Sequence, residues 1–141
     1  MGAIYTSGID DALAELERLE KDISPMLDEV MDTALQEVGG AWKQSMRLHG
    51  FAPPGRSGQG TGAMINSVGH TPIRKGKAGR FAEVVADGTD SKGVSNDLKA
   101  FYQHYGTSSI TPTYWLDDAE QMAEKALDDK LPEIYNRYMK Q

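Results

Sequence analysis

Cysteine is absent from this chain, and its absence excludes several kinds of site. A disulfide framework, a thiolate metal site and a thiol nucleophile each require that residue. Long apolar runs are missing too, because no stretch approaches the roughly eighteen residues that a membrane-spanning helix needs. The first residues do not resemble a signal peptide. From these absences we expect a soluble protein that stays in the cytoplasm and has no contact with a membrane.

Histidine is scarce, and the three histidines are far apart in the sequence. His49, His70 and His104 form neither an HxH nor an HxxxH pair, so there is no local signature of a metal site. No serine lies in a GxSxG elbow. Adjacent carboxylates such as Asp117 and Asp118 would point about 100° apart on a helix and would not share a site. The sequence therefore predicts no catalytic residues, no cofactor, no metal ion, no small-molecule substrate and no enzyme activity.

The glycine-rich segment of residues 52–68 lacks what a phosphate-binding loop requires. Gly58, Gly60 and Gly62 fit such a loop in composition, but no Lys-Ser or Lys-Thr pair closes the run and no apolar strand precedes it. Nothing in the segment would neutralise a phosphate group or hold a magnesium ion. We therefore predict a surface connector, followed by a short helical turn that Thr61 caps.

Helical periodicity dominates the residues before this connector. Apolar residues recur every three or four positions over residues 9–23 and 27–46, which indicates amphipathic helices. Pro25 cannot donate to the preceding turn but suits the first position of a new helix, so we predict two N-terminal helices. Gly39 and Gly40, inside the second helix, predict that the backbone of the sheet approaches closely at that point.

The residues after the connector favour short strands and one more helix. Apolar residues predict strands at 68–73 and 81–86, the second of them central in the sheet, and a basic hairpin loop at 74–80 joins the two. The aromatic segment 97–107 predicts a turn or short helix followed by a short strand. A C-terminal helix should begin at residue 117 or 118, where acidic side chains suit the positive end of the helix dipole.

These elements together predict one α+β domain. With 141 residues the chain has the size of a single domain, spanning 1–141. Its order of helices, then strands, then a helix predicts a small, mainly antiparallel sheet packed against two N-terminal helices and a C-terminal helix.

Charge is distributed unevenly along the chain. Residues 1–48 carry ten acidic and four basic residues, whereas residues 49–86 carry one acidic and five basic residues. The basic middle could contact an acidic helix of a neighbouring subunit. It could also bind nucleic acid, although the net charge of −6 repels a polyanion. The candidate subunit or partner interface consists of the five basic residues, Arg56, Arg74, Lys75, Lys77 and Arg80.

Three separated motifs together resemble one known family. Ala52-Pro53 precedes Thr61-Gly62-Ala63-Met64 and Ser67-Val68, which is similar to a threonine-glycine-x-leucine-x-x-serine-isoleucine signature. Residues 102–107, YQHYGT, resemble an aromatic-x-glutamate-aromatic-glycine-threonine signature, and residues 112–119, PTYWLDDA, resemble the run that enters the last helix. In order and spacing they resemble the tail-completion and head–tail joining proteins of bacteriophages and prophages with long, non-contractile tails. His104 replaces the usual glutamate, Met64 replaces leucine, and residues 55–60 lengthen the loop.

The resemblance implies a structural virion protein with no enzymatic role. Such a protein assembles as a ring homo-oligomer, expected to be a hexamer, at the head–tail junction after a period in the host cytoplasm. Its partners would be copies of itself and neighbouring connector or tail proteins, with DNA passing through the ring. The alternative is a small nucleic-acid-binding or regulatory protein that uses the basic loop at 74–80.

The loop of residues 55–60 has little apolar surface of its own. Its flanks carry Leu48 and Phe51 on one side and Met64 and Ile65 on the other, which can anchor its ends. We predict that the loop becomes ordered only against a neighbouring subunit. A shorter linker should then leave the melting temperature of the isolated protein unchanged and impair assembly.

Overall fold

The protein has the predicted α+β class, with a long N-terminal helix, a small set of antiparallel strands and a long C-terminal helix. The computed structural model describes residues 2–56, 58, 60–77 and 79–140, and the side chains of residues 2–10 and 16 lie outside that description. The elements in chain order are α1 Gly2–Leu48, α2 Ala63–Asn66, β1 Val68–His70, β2 Arg74–Gly76, β3 Gly79–Phe81, β4 Val84–Ala86, α3 Asn96–Tyr105 and α4 Trp115–Met139.

The N-terminal half is one helix, and the prediction of two helices is wrong on this point. Helix α1 runs through Pro25 without a break. Proline removes one backbone donor, so the carbonyl of Lys21 loses its partner. Lys21 and Pro25 are both exposed, and water can satisfy that carbonyl. With 47 residues, α1 is about 70 Å long.

Helix α1 ends at Leu48, and Gly50 lies in the turn that closes it. This glycine has a φ of 85°, and the Phe51 N–H returns to the Met46 carbonyl at 2.9 Å. Glycine takes that left-handed conformation without steric cost and so closes the helix. The turn directs Phe51 into the core next to Met46.

Helices α1 and α4 pack against each other in antiparallel orientation. Successive contacts involve residues with higher sequence numbers in α4 and lower sequence numbers in α1. Small buried residues of α4, Ala119 and Ala123, lie at its inner face. Pro132 lies inside α4 without ending it. Three contacts define the pairing, namely Ser45 with Trp115, Glu37 with Lys130 and Glu29 with Arg137.

The strands form two separate two-stranded antiparallel ribbons. In the β1–β4 ribbon Val68 lies opposite Ala86, and in the β2–β3 hairpin Arg74 lies opposite Phe81. The predicted strand at 81–86 is therefore interrupted, and the predicted loop at 74–80 contains strands of its own. Strand β4 is hydrogen-bonded to β1 alone among the described strands, so its predicted central position is wrong.

The core lies where the C-terminal end of α1 meets the β1–β4 ribbon, α2, α3 and the start of α4. Gly39 and Gly40 are not part of it, since an added Cβ at either glycine would meet no described atom within 4 Å. The predicted close approach of the sheet at these glycines is therefore wrong. The larger buried side chains of the core are Met46, Phe51, Ile65, Val68 and Trp115, with the small residues Ala86 and Ala119 packed among them.

The aromatic segment is a single helix, and the predicted strand after it does not form. Ser95 caps α3, its side chain accepting the Leu98 N–H, and the helix continues to Tyr105. Helix α4 begins at Trp115, just before the predicted residues 117 and 118. The cap of α2 also differs from the prediction, because Gly62 occupies that position in place of Thr61.

Candidate interaction surfaces

Two of the three segments that carry the family resemblance, the connector motif and the YQHYGT motif, line one pocket of about 200 Å³, which we call the motif pocket. The connector contributes residues 60–64, and α3 contributes Tyr102 and Gln103. Phe51 and Ile110 also line it. Stretches that are some forty residues apart in sequence thus form one surface.

Two motif glycines are required by close backbone packing. An added Cβ at Gly62, whose φ is 82°, would lie 3.0 Å from the ring of Pro53. At Gly106, whose φ is 78°, an added Cβ would lie 2.7 Å from the Ile110 carbonyl oxygen and from the ring of Pro112. These contacts give a physical reason for glycine at positions 62 and 106.

Arg56 lies at the rim of the motif pocket, away from the other four basic residues of the predicted interface. Its Nη1 donates to Gln103 Oε1 at 2.8 Å and to the Thr111 carbonyl at 3.3 Å. Both acceptors are uncharged, so these bonds position the guanidinium without neutralising it. Described residues of the 55–60 loop therefore contact their own chain, whereas Ser57 and Gln59 lie outside the described residues. The predicted ordering by a neighbour remains a prediction.

The other four basic residues lie on the β2–β3 hairpin. Lys75 is directly opposite Arg80, and two like charges in that register repel each other. Contacts with α1 offset this repulsion for Arg80. Its Nε donates to Asp28 Oδ1 at 2.8 Å, and its Nη2 donates to the Ser24 hydroxyl. Arg74, Lys75 and Lys77 remain exposed.

The predicted interface thus divides into two places, with Arg56 beside α3 and the hairpin beside α1. The hairpin and α1 enclose an open cleft of about 520 Å³, which Lys75 shares with Glu17 and Glu20. Arg80 uses an acidic helix of its own chain, so it is the least accessible of the five to a neighbour or to DNA. Nothing in the sequence distinguishes Arg80 from Lys75 in this respect.

His104 connects α3 to the start of α4 and is buried. Its Nδ1 accepts the Leu116 N–H at 3.2 Å, so the ring proton is on Nε2, and its carbonyl accepts the Tyr114 N–H. Its ring also packs edge-on against Tyr114 and Trp115. His104 thus links α3 to α4 in the described chain.

Trp115 joins three elements at the same place. Its indole N–H donates to the Ala100 carbonyl of α3 at 2.9 Å, and its own carbonyl accepts the Ser45 hydroxyl of α1 at 2.5 Å. Its ring meets Trp42 edge to face, with centroids 5.3 Å apart. No local sequence signal identifies Ser45 as the buried partner of this tryptophan.

One face of α3, which we call the aromatic face, is exposed although it is apolar. It consists of Leu98, Phe101, Tyr102 and Tyr105, which recur at the three- and four-residue spacing of one helical stripe. Phe101 and Tyr105 pack together with centroids 4.8 Å apart and are each more than half exposed. Exposed clusters of this kind mark sites of contact with another molecule.

A second exposed apolar stripe lies on residues 11–23 of α1, which we call the arm. Every described side chain of the arm is exposed, including Leu13, Leu19 and Ile23. The arm precedes Glu29, the residue that contacts Arg137 near the end of α4. It carries five acidic residues against two basic residues, a net charge of −3.

Among the described residues, the carboxyl groups of Glu29 and Asp90 have a lowered pKa. Hydrogen bonds from the Val94 N–H and from the Lys99 ammonium group lower the pKa of Asp90 to about 2. Hydrogen bonds from Arg137 and Tyr138 lower the pKa of Glu29. In both cases the ionised form is bonded in the folded state, so the shift reflects structural contacts between elements.

The described residues contain no group of three or more His, Cys, Asp or Glu side chains that could hold a metal ion. Among them there is also no helix that is apolar over a length sufficient to cross a membrane. No protein-family model, curated protein or solved structure matches the chain.

Proposed function

We propose that this chain is a structural virion protein of the head–tail interface, which completes the tail or joins it to the head by forming a ring. The observation that carries the proposal is the motif pocket. Three short segments resemble the tail-completion and head–tail joining family, and a set of unrelated chance matches would have no reason to meet in space. Here the connector motif and the YQHYGT motif line the same pocket, and Gly106 contacts Pro112 of the third motif.

The surface of the chain supports an assembling role. The arm and the aromatic face are apolar and exposed on a single subunit, which is typical of surfaces that another protein covers. The arm is acidic, whereas Arg56 and the hairpin are basic. Opposite charges on different faces of one subunit favour contacts between copies that are oriented head to tail.

The hairpin supports a second role within the same proposal. Arg74, Lys75 and Lys77 are exposed and could face DNA that passes through the ring. If the isolated protein instead binds duplex DNA as its main activity, counterion release predicts a steep loss of affinity with salt. Failure to bind duplex DNA at low salt would leave passage through the ring as the hairpin's only role toward DNA.

Sedimentation velocity tests the proposal. The purified chain is run alone and mixed with purified tails and neck components of a phage whose genome carries its gene, and we expect it to form a ring or to co-sediment. The control uses tails from an unrelated phage, which should not carry the chain with them. A chain that stays monomeric and binds neither component contradicts the proposal.

A further inference from the structure

The arm cannot be covered by the aromatic face of its own chain. Helix α3 is bonded to Trp115, which packs against Ser45 in α1. Ser45 is 22 residues from Ile23 along one continuous helix, a distance of about 33 Å. The two exposed apolar surfaces of a subunit therefore lie at opposite ends of α1, and each needs a separate molecule to cover it.

The region of the aromatic face suits an acidic amphipathic helix. Tyr102 belongs both to this face and to the motif pocket, where Arg56 adds a positive charge that its amide and carbonyl partners do not neutralise. The arm offers the complementary features, an apolar stripe bordered by acidic residues. From Leu13 to Ile23 the stripe is about 15 Å long, and the aromatic face spans about 10 Å of α3 with the pocket next to it.

We propose that the arm of one copy docks onto the aromatic face and the Arg56 rim of a second copy. Pairing of two arms is less favourable, because each arm has a net charge of −3 and like charges would oppose each other. Docking of arm to face is a heterologous contact, in which each copy gives its arm to one neighbour and its face to the other. Such contacts close into a ring when the rotation between copies allows it. The formation of a ring comes from the proposed function, on which this inference rests. The inference adds which surfaces of neighbouring copies contact each other.

Cross-linking of single-cysteine variants tests the contact, since the natural chain has no thiol. Leu19→Cys and a longer, tagged Tyr105→Cys variant are mixed at high concentration and treated with a short bismaleimide. We expect a mixed dimer at roughly ten times the yield of the control mixture, because docking raises the effective concentration of the two thiols. The control pairs Leu19→Cys with Asp128→Cys, an exposed position on α4. Adding Arg56→Glu to the tagged variant should reduce the yield.

The outcomes separate this inference from the proposed function. A mixed dimer no more abundant than the control contradicts docking, and so does a Leu19→Cys variant that cross-links mainly to itself. If either cysteine variant unfolds, Leu13→Cys with Phe101→Cys provides the same test at other exposed positions. Failure of the cross-link with the chain still present in virions refutes only the docking. A strong mixed cross-link with the chain absent from virions refutes only the proposed function.

Discussion

Replacing Gly106 with alanine tests how the segment after α3 turns back along the helix. Gly106 has a φ of 78° and a ψ of 171°, a region that glycine alone populates freely. An added Cβ would lie 2.7 Å from the Ile110 carbonyl oxygen and from the ring of Pro112. The alanine therefore strains the backbone and also pushes the turn that positions Ile110 in the motif pocket.

The expected loss of stability in Gly106→Ala follows from these two effects. Backbone strain in this region costs on the order of 1–3 kcal/mol. Displacing the turn weakens the hydrogen bond from the Thr107 N–H to the Ile110 carbonyl, now 2.9 Å long, and adds about 1 kcal/mol. We expect the free energy of unfolding to fall by about 3 kcal/mol. For a domain of this size the melting temperature should fall by about 10 °C.

Gly93→Ala is the matched control. Gly93 has a φ of 80°, but an added Cβ would meet no described atom within 4 Å. Its left-handed backbone costs about 1–2 kcal/mol for alanine, and the smaller entropy of the unfolded chain offsets about half of that. Urea unfolding and thermal circular dichroism measure both variants. If Gly106→Ala destabilises no more than Gly93→Ala, the packing of Gly106 against the Ile110 turn is not as described.

Three further predictions concern contacts between elements. Asp90→Asn should lower the melting temperature relative to the parent above pH 4, and this difference should vanish as the pH falls from about 4 to about 2. The reason is that the pKa of Asp90 is lowered in the folded state, so its ionised form stabilises the fold. A difference that does not change with pH would contradict this. His104→Leu should cost about 1–3 kcal/mol in urea unfolding, since the Leu116 N–H loses its acceptor, whereas His104→Gln should cost less; equal losses would refute the role of that bond. A double-mutant cycle of Arg80 and Asp28 should give a favourable coupling of about 0.2–1 kcal/mol, as for other partly exposed pairs; a coupling of zero would mean that this bond does not hold the hairpin.

The fold class and most of the helical regions were accessible from the sequence. Periodicity located the helical regions, and Gly50 ended α1 by the local rule for left-handed caps. The predicted break at Pro25 was wrong because a proline inside a helix removes one backbone donor. The free-energy cost of that loss depends on whether water reaches the carbonyl left without a partner. That exposure is a property of the fold.

The strands and the aromatic segment were harder to predict for a similar reason. A three-residue strand such as β4 is defined by its partner β1, and pairing over such a distance leaves little local signal. The aromatic residues of α3 have a high propensity for strands. In the structure the segment is a helix, and hydrogen bonds from Trp115 to the Ala100 carbonyl and from the Leu116 N–H to His104 join it to α4. Tertiary contacts overrode the local preference.

The candidate interface was predicted only as a set of charges. Four of the five basic residues are exposed, and Arg80 is partly buried. Arg56 and Arg80 have different hydrogen-bond partners, which the number of charges in the sequence does not predict. The arm lies in a region that the sequence predicted as an amphipathic helix, whereas the residues of the aromatic face were assigned partly to a strand. Their exposure, and the distance between them along α1, required the structure.

Immunogold electron microscopy tests whether the chain lies at the head–tail junction of a phage particle. Antibodies against the chain are applied to purified long-tailed phage particles from cells that carry its gene, with particles from a strain lacking the gene as the control. We expect gold at the head–tail junction of the parent particles, and heads and tails that fail to join in the deletion strain. Labelling elsewhere on the particle, or normal, infectious particles without the gene product, would contradict it.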